Sequence, residues 1–265
     1  MTAALRYEWV RISTVRSTRI CLVLTLLLSA LLGYGSANPH HDFDQQGNEV
    51  GRVSVDWVGA FAIPLSITVV LVSVVAAQSI GQEYRFGIIR LTLTAFPRRM
   101  QVSAAKVVLV VLTGVVFALA SYAGSWIGLV VRGYPTPPDG ALVPDASFFL
   151  RGLAFAVLWA LSAFALAGIT RQTAIGIAVP IVSGVIVEQI LAAVLSEKAS
   201  WLTDNLPWSN AGRWSDVERM AASGIEAPPG LVHSTPVGWL ALGVFAVWVL
   251  VFLVVETVLF LRRDA

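Results

Sequence analysis

Residues 57–80 read WVGAFAIPLSITVVLVSVVAAQSI, an apolar run without one charged side chain. They are followed at once by residues 81–100, GQEYRFGIIRLTLTAFPRRM, which carry Glu83, Arg85, Arg90, Arg98 and Arg99. A helix needs about 20 apolar residues to cross roughly 30 Å of hydrocarbon, so the first stretch spans a membrane. The second is too charged to cross and too apolar to float free in water. A membrane crossing that ends in an amphipathic, basic segment decides how the rest of the chain is read.

Working outward, five more runs have the same character: residues 20–35, 107–131, 148–170, 173–195 and 237–261. The first begins near Ser17, with Arg16 and Arg19 reaching to the headgroups. The runs 148–170 and 173–195 are separated only by Arg171 and Gln172, which makes them a tight hairpin. The expected fold is therefore all-α, a polytopic membrane protein with six crossings at about 17–35, 57–80, 107–131, 148–170, 173–195 and 237–261. All of them belong to one transmembrane domain over residues 1–265. Composition agrees: of 265 residues, 57% are hydrophobic and 13% charged, with a mean hydropathy of +0.77. Soluble domains are about one-quarter charged, which excludes a soluble enzyme and a disordered tail. Cys21, the single cysteine, excludes an intrachain disulfide, and a formal charge of +2 is too balanced for a nucleic-acid partner.

Basic residues in alternate loops orient the chain. Twelve Lys and Arg fall on the side holding both termini, the 81–106 segment and Arg171; six fall on the other. Both termini are thus expected in the cytoplasm. A signal peptide ending at Gly35-Ser36-Ala37 is the rival reading, but four arginines spread through the first nineteen residues make its basic region too long. Residues 3–19 place Leu5, Trp9, Ile12 and Val15 at helical spacing among arginines. They suit an interfacial helix, or a short frayed arm carrying orienting charge, with Glu8 and Arg16 intruding on the apolar side. Residues 83–89 can form a short helix at the inner face before Pro97 breaks the chain.

The outward loops are longer. His40, His41, Asp42 and Asp44 lie within five positions but have no metal-ligand spacing, so a solvated loop is expected. Residues 196–236 hold Trp201, Trp208 and Trp214, which suits a cap or interfacial helix. Within the crossings, carboxylates are costly and tend to mark function. Glu188 either pairs with Arg151 in the neighbouring crossing or serves as a proton or cation site. Glu256, near Arg262 and Arg263, reads as a pair reaching for the interface. Ala120, Gly124 and Gly128 form a small-residue stripe, as do Gly176, Pro180 and Gly184, and both suit close helix packing.

Several chemistries have no residues to carry them. Neither Lys106 nor Lys198 is followed by Ser or Thr, so no phosphate-binding loop exists. The three histidines lie in outward loops, which leaves no zinc-protease motif and no base for an intramembrane serine nucleophile. The chain is not expected to be an enzyme, and no metal site is expected.

The order of the pieces resembles the membrane permease subunits of ABC-2 type transporters. Glu8 sits among arginines before the first of six spans; Glu83 to Gly87 gives Glu-x-x-x-Gly, followed by Leu-Thr, Pro97-Arg98-Arg99 and Lys106. Leu206-Pro207 and Asn210-Ala211-Gly212 precede the last span. The resemblance implies a permease of an ATP-driven exporter in the inner (plasma) membrane. A separate ABC ATPase carrying ATP and Mg would drive it, and a second permease chain, identical or homologous, would complete the path. Residues 83–90 would be the coupling helix and 3–19 the connecting helix beside it. Glu83, Tyr84, Arg85, Phe86, Arg90 and Arg98 would face the ATPase. The chain itself would hold no cofactor. The runner-up is a secondary transporter or channel using Glu188, although spans one to three and four to six show no convincing repeat. A membrane anchor that moves nothing is the third.

Overall fold

The computed structural model describes residues 2–36, 40–43, 49–54, 56–89, 94, 99–134, 136–137, 143–195, 199–216 and 236–262. Helix α1 (Thr2–Thr14) precedes α2 (Arg16–Ser36), with Val15 as the break between them. Strands β1 (His40–Phe43) and β2 (Glu49–Ser54) pair antiparallel, His40 opposite Ser54, with a register slip between His41 and Phe43. The loop expected there thus contains a small hairpin, and the other described elements are helical; Asp44 lies outside the described residues.

Helix α3 runs Trp57–Arg85 and α4 Arg99–Arg132. Asp56 caps α3, its carboxylate accepting from Gly59 N–H at 2.7 Å, which satisfies one of the first-turn donors that a helix leaves open. Asp145 does the same for α5 (Ala146–Thr170) through Phe148 N–H, also at 2.7 Å. Helix α5 stops at Arg171, in the left-handed region at φ 58°, and α6 (Thr173–Val182) returns immediately. A π-helical turn (Ser183–Val187) follows the buried Pro180 and leads into α7 (Glu188–Leu195). The remaining elements are α8 (Ser200–Thr203), α9 (Pro207–Gly212), a 3-10 turn (Arg213–Ser215) and α10 (Gly238–Arg262). Among the described residues, six helices are long and apolar enough to cross a membrane: α2, α3, α4, α5, the α6–α7 run and α10.

Two helices sit inside and the others surround them. Most of the apolar stretch of α3 and of α5 is buried, whereas α2, α6–α7 and α10 leave most of theirs exposed. A helix apolar on every side belongs in a core or in lipid, and α3 and α5 take the core. Trp159 on α5 donates its indole N–H to Ser73 on α3 at 2.9 Å. An aromatic cluster built from Phe61, Tyr122, Phe148, Phe149, Phe155 and Trp214 fills one end, with ring centroids 4.9–6.2 Å apart.

Helices α2 and α4 meet through small residues. A Cβ on Gly124 would stand 2.5 Å from the Leu26 carbonyl, and one on Gly33 2.5 Å from that of Ser125. Gly128 is pressed against the backbone of Ala30 and Tyr34 in the same way. Lipid offers no hydrophobic drive toward association, so close backbone approach and polar contacts hold such pairs. Ser29 and Ser121 hydroxyls, 3.0 Å apart, supply one. The packing stripe is Ser121, Gly124, Ser125 and Gly128, with Ala120 half-buried at its edge. In α6, Gly176 lies against Ala163 and Ala167 of α5.

The expected short helix over 83–89 is placed differently. Glu83, Tyr84 and Arg85 form the last turn of α3. The chain turns at Phe86 and at Gly87, whose φ is 67°, and helical backbone resumes at Ile88 and Ile89. The second crossing helix, α3, simply continues past its apolar run, because nothing between Ile80 and Arg85 breaks it.

Candidate functional site

The last two turns of α3 touch every other helix that ends or begins nearby. Gln78 accepts a 2.7 Å hydrogen bond from Ser17 at the start of α2. Gly81 packs against Thr173 at the start of α6, where a Cβ would stand 2.9 Å from the Thr173 Cα. The Arg171 guanidinium lies over the Tyr84 ring, 5.2 Å from its centroid. Ile89, Val102 of α4 and Phe260 of α10 form a separate apolar cluster with Tyr84 against it. Residues 78–89 thus reach α2, α4, α6 and α10.

Helix α1 joins through charge. Lys106 Nζ lies 2.5 Å from Glu8 Oε1 and 2.6 Å from Glu83 Oε1. Arg11 Nη2 pairs with Glu8 Oε2 at 2.8 Å, and the same guanidinium bonds the Glu83 carboxylate and the Ser79 carbonyl. The side chains of Glu8, Glu83 and Lys106 are 1–2% exposed and that of Arg11 is 23%. Two carboxylates and two cations balance. Removing one partner from such a buried group costs about 3–5 kcal/mol, because a charge is left without compensation.

On the far side of the turn the chain is open. Arg85, Phe86, Gly87 and Ile88 are all exposed, Phe86 at 64%, with the Arg85 guanidinium 5.5 Å from the Phe86 ring centroid. Among the residues expected to face a partner, Arg85 and Phe86 are therefore presented outward and Tyr84 is half-buried. Glu83 points into the protein and its carboxylate is engaged by Lys106 and Arg11. It is a link within the chain rather than a surface contact. Arg90 and Arg98 lie outside the described residues.

The intramembrane polar residues also differ from expectation. Glu188 is buried and accepts from the backbone N–H groups of Trp208 (3.3 Å) and Ser209 (2.5 Å) at the start of α9. Its partners are these amides and not Arg151. Arg151 is buried in α5, where its Nε donates to the Ser147 carbonyl at 3.3 Å. The cause is the path of α8 and α9: the segment folds back into the bundle, with Trp208 and Trp214 buried and Trp201 exposed, and brings open amides to Glu188. Glu256 does not reach for the interface. It is buried against α5, where a Cβ on Gly168 would stand 2.6 Å from its Cγ, and Thr257 donates to it at 3.4 Å. Arg263 lies outside the described residues.

Sequence reasoning did not join Glu8, Arg11 and Lys106 into one group. The signals were an acidic residue on the apolar side of residues 3–19, an Arg three positions on, and a Lys at the very edge of an apolar run.

A family model described as ABC-2 family transporter protein matches residues 5–187. The chain belongs to the ABC-2 transporter family. No curated protein matches it. The matched residues run from α1 to the π-helical turn, so they contain the whole charged group and the turn after α3; Glu188, α8, α9 and α10 lie beyond them. As an ABC-2 protein with six apolar helices, it is a multi-pass membrane permease of an ABC transporter.

Proposed function

We propose that this ABC-2 permease is one half of an ATP-driven exporter in the inner (plasma) membrane. A separate ATPase, which binds ATP and Mg, docks on the exposed turn Arg85–Ile88. The permease holds no cofactor and catalyses no reaction of its own. Both termini are cytoplasmic, so α1 and the turn lie on the side where ATP is available; the excess of basic residues on that side supports this. Two permease chains enclose the path.

One observation carries the reading: the chain's exposed Phe86 stands at the tip of a segment whose other face touches five helices. An apolar ring beside a guanidinium is a poor thing to leave in water and a good one to seat in a pocket with an acidic rim. Push on that tip and the force reaches α1, α2, α4, α6 and α10 through packed contacts, which is what coupling to a soluble motor requires. Glu188 suits a transported proton or cation less well, since both of its oxygens are occupied by backbone N–H groups.

Affinity purification of the tagged full chain from its native host tests the proposal. The expected result is a co-purifying protein with a phosphate-binding loop and an ATPase activity. Retention of that protein should fall at least several-fold in Phe86→Ala. Repeated recovery of the permease alone, or equal retention in the variant, would contradict it.

A further inference from the structure

Among the described residues of α1 with a stated burial, the one that is buried is a carboxylate, Glu8. Ile12 is only half-buried against the core, while Arg6, Tyr7, Trp9 and Val10 are exposed. Helix α1 is therefore attached chiefly through the charged group and only weakly through apolar packing. That is an unusual choice if attachment were all that mattered. Apolar residues of similar volume hold as well as a buried ion group, or better. What a buried ion group adds is that its members cannot separate singly: lifting Glu8 away would leave Lys106 and Arg11 facing Glu83 alone in a site with little water.

We infer that Glu8, Arg11, Glu83 and Lys106 are positioning residues that clamp α1 to the end of α3 and the start of α4, so that the three move as one body when the turn after α3 is displaced. This deepens the docking reading and rests on it for the source of the displacement. The geometry gives each member a role. Glu83 stands two residues before Arg85, so its side chain leaves the same helical turn that presents Arg85 outward. Lys106 bridges both carboxylates and ties α4 to the pair. Arg11 closes the group from α1 and also binds the Ser79 carbonyl, one helical turn back along α3. A movement of α3's last turn together with α4 that kept α1 behind would break the Arg11–Glu83 and Lys106–Glu8 ion pairs and the Arg11–Ser79 hydrogen bond together.

The test places nitroxide labels on exposed positions of the full chain in nanodiscs, in a Cys21→Ser background. Thr14→Cys reports α1, Met100→Cys the start of α4 and Leu240→Cys the opposite end of the bundle. Distances are measured by pulsed electron resonance for the permease alone, and for its ATPase complex without nucleotide and with ATP and vanadate. In the parent, the Thr14–Met100 distribution should stay narrow in all three conditions, while the Thr14–Leu240 distance shifts on trapping. Lys106→Met and Glu8→Gln should each broaden Thr14–Met100 at least twofold. In Glu8→Gln the Thr14–Leu240 shift should be lost while Met100–Leu240 still shifts, which mere loosening of the fold would not produce. The conservative Lys106→Arg keeps a cation between both carboxylates and should retain the narrow distribution that Lys106→Met loses.

Distributions as narrow as the parent's in both Lys106→Met and Glu8→Gln would overturn the clamp, and so would a folded, monodisperse Lys106→Arg as broad as Lys106→Met. If no pair shifts on trapping in the parent, the docking reading fails instead; the Thr14–Met100 widths in the permease alone still decide the clamp.

Discussion

Gly87 is the residue on which the exposed turn depends. Its φ of 67° lies where a side chain crowds the carbonyl that follows, at a cost of about 1–2 kcal/mol for most residues. Nothing lies within 4 Å of where a Cβ would stand, so backbone strain is the whole penalty. Gly87→Ala is expected to lower ATPase retention several-fold and Gly87→Asn to lower it less, because Asn tolerates this conformation; binding of the purified partner to immobilised permease measures both. Glu188 makes a different prediction. With the carboxylate gone, Glu188→Ala leaves two N–H groups of α9 facing an apolar site, which costs about 1–3 kcal/mol. Thermal unfolding in detergent should show a lower midpoint for Glu188→Ala and a smaller loss for Glu188→Gln, which keeps one acceptor. A chain composition can flag Glu188 as costly in lipid, and it did; it cannot say that residues some twenty positions later fold back to meet it. Glu83 teaches the same lesson. Its place after an apolar run was plain, but which way it faces depends on Glu8 and Lys106, both distant in sequence.

At the scale of elements, the crossing helices were legible because lipid demands a long apolar run whatever the neighbours are. All six appear in the structure. Their ends were less legible: α3 runs on to Arg85 and α4 starts back at Arg99, since a helix does not stop where the hydrocarbon does. The pairing of α2 with α4 rests on Gly33, Gly124 and Gly128, of which the sequence pattern marked two and gave no partner. Replacing Gly128 by Leu forces α2 off the backbone it touches and is expected to destabilise the permease by about 1–3 kcal/mol. The same change at Gly243, with open space around it, should have little effect. Comparing the two unfolding midpoints separates loss of this contact from a general effect of substituting a helical glycine.

For the whole molecule, the proposed coupling is mechanical: a soluble ATPase would move the turn, and the turn would move the bundle. α3 and α5 are enclosed and α3 reaches the turn directly, so displacement there enters the core without crossing a flexible joint. The exposed apolar faces of α2, α6, α7 and α10 are left for lipid and, in the proposed dimer, for a second permease chain. The most direct test is photo-crosslinking in the native host, with benzoylphenylalanine in place of Phe86 and, as control, of Leu240 at the far end of the bundle. The account predicts an adduct from position 86 to a protein with a phosphate-binding loop, and none from position 240. A position 86 that labels no such protein, in cells where the permease is expressed and folded, would contradict it.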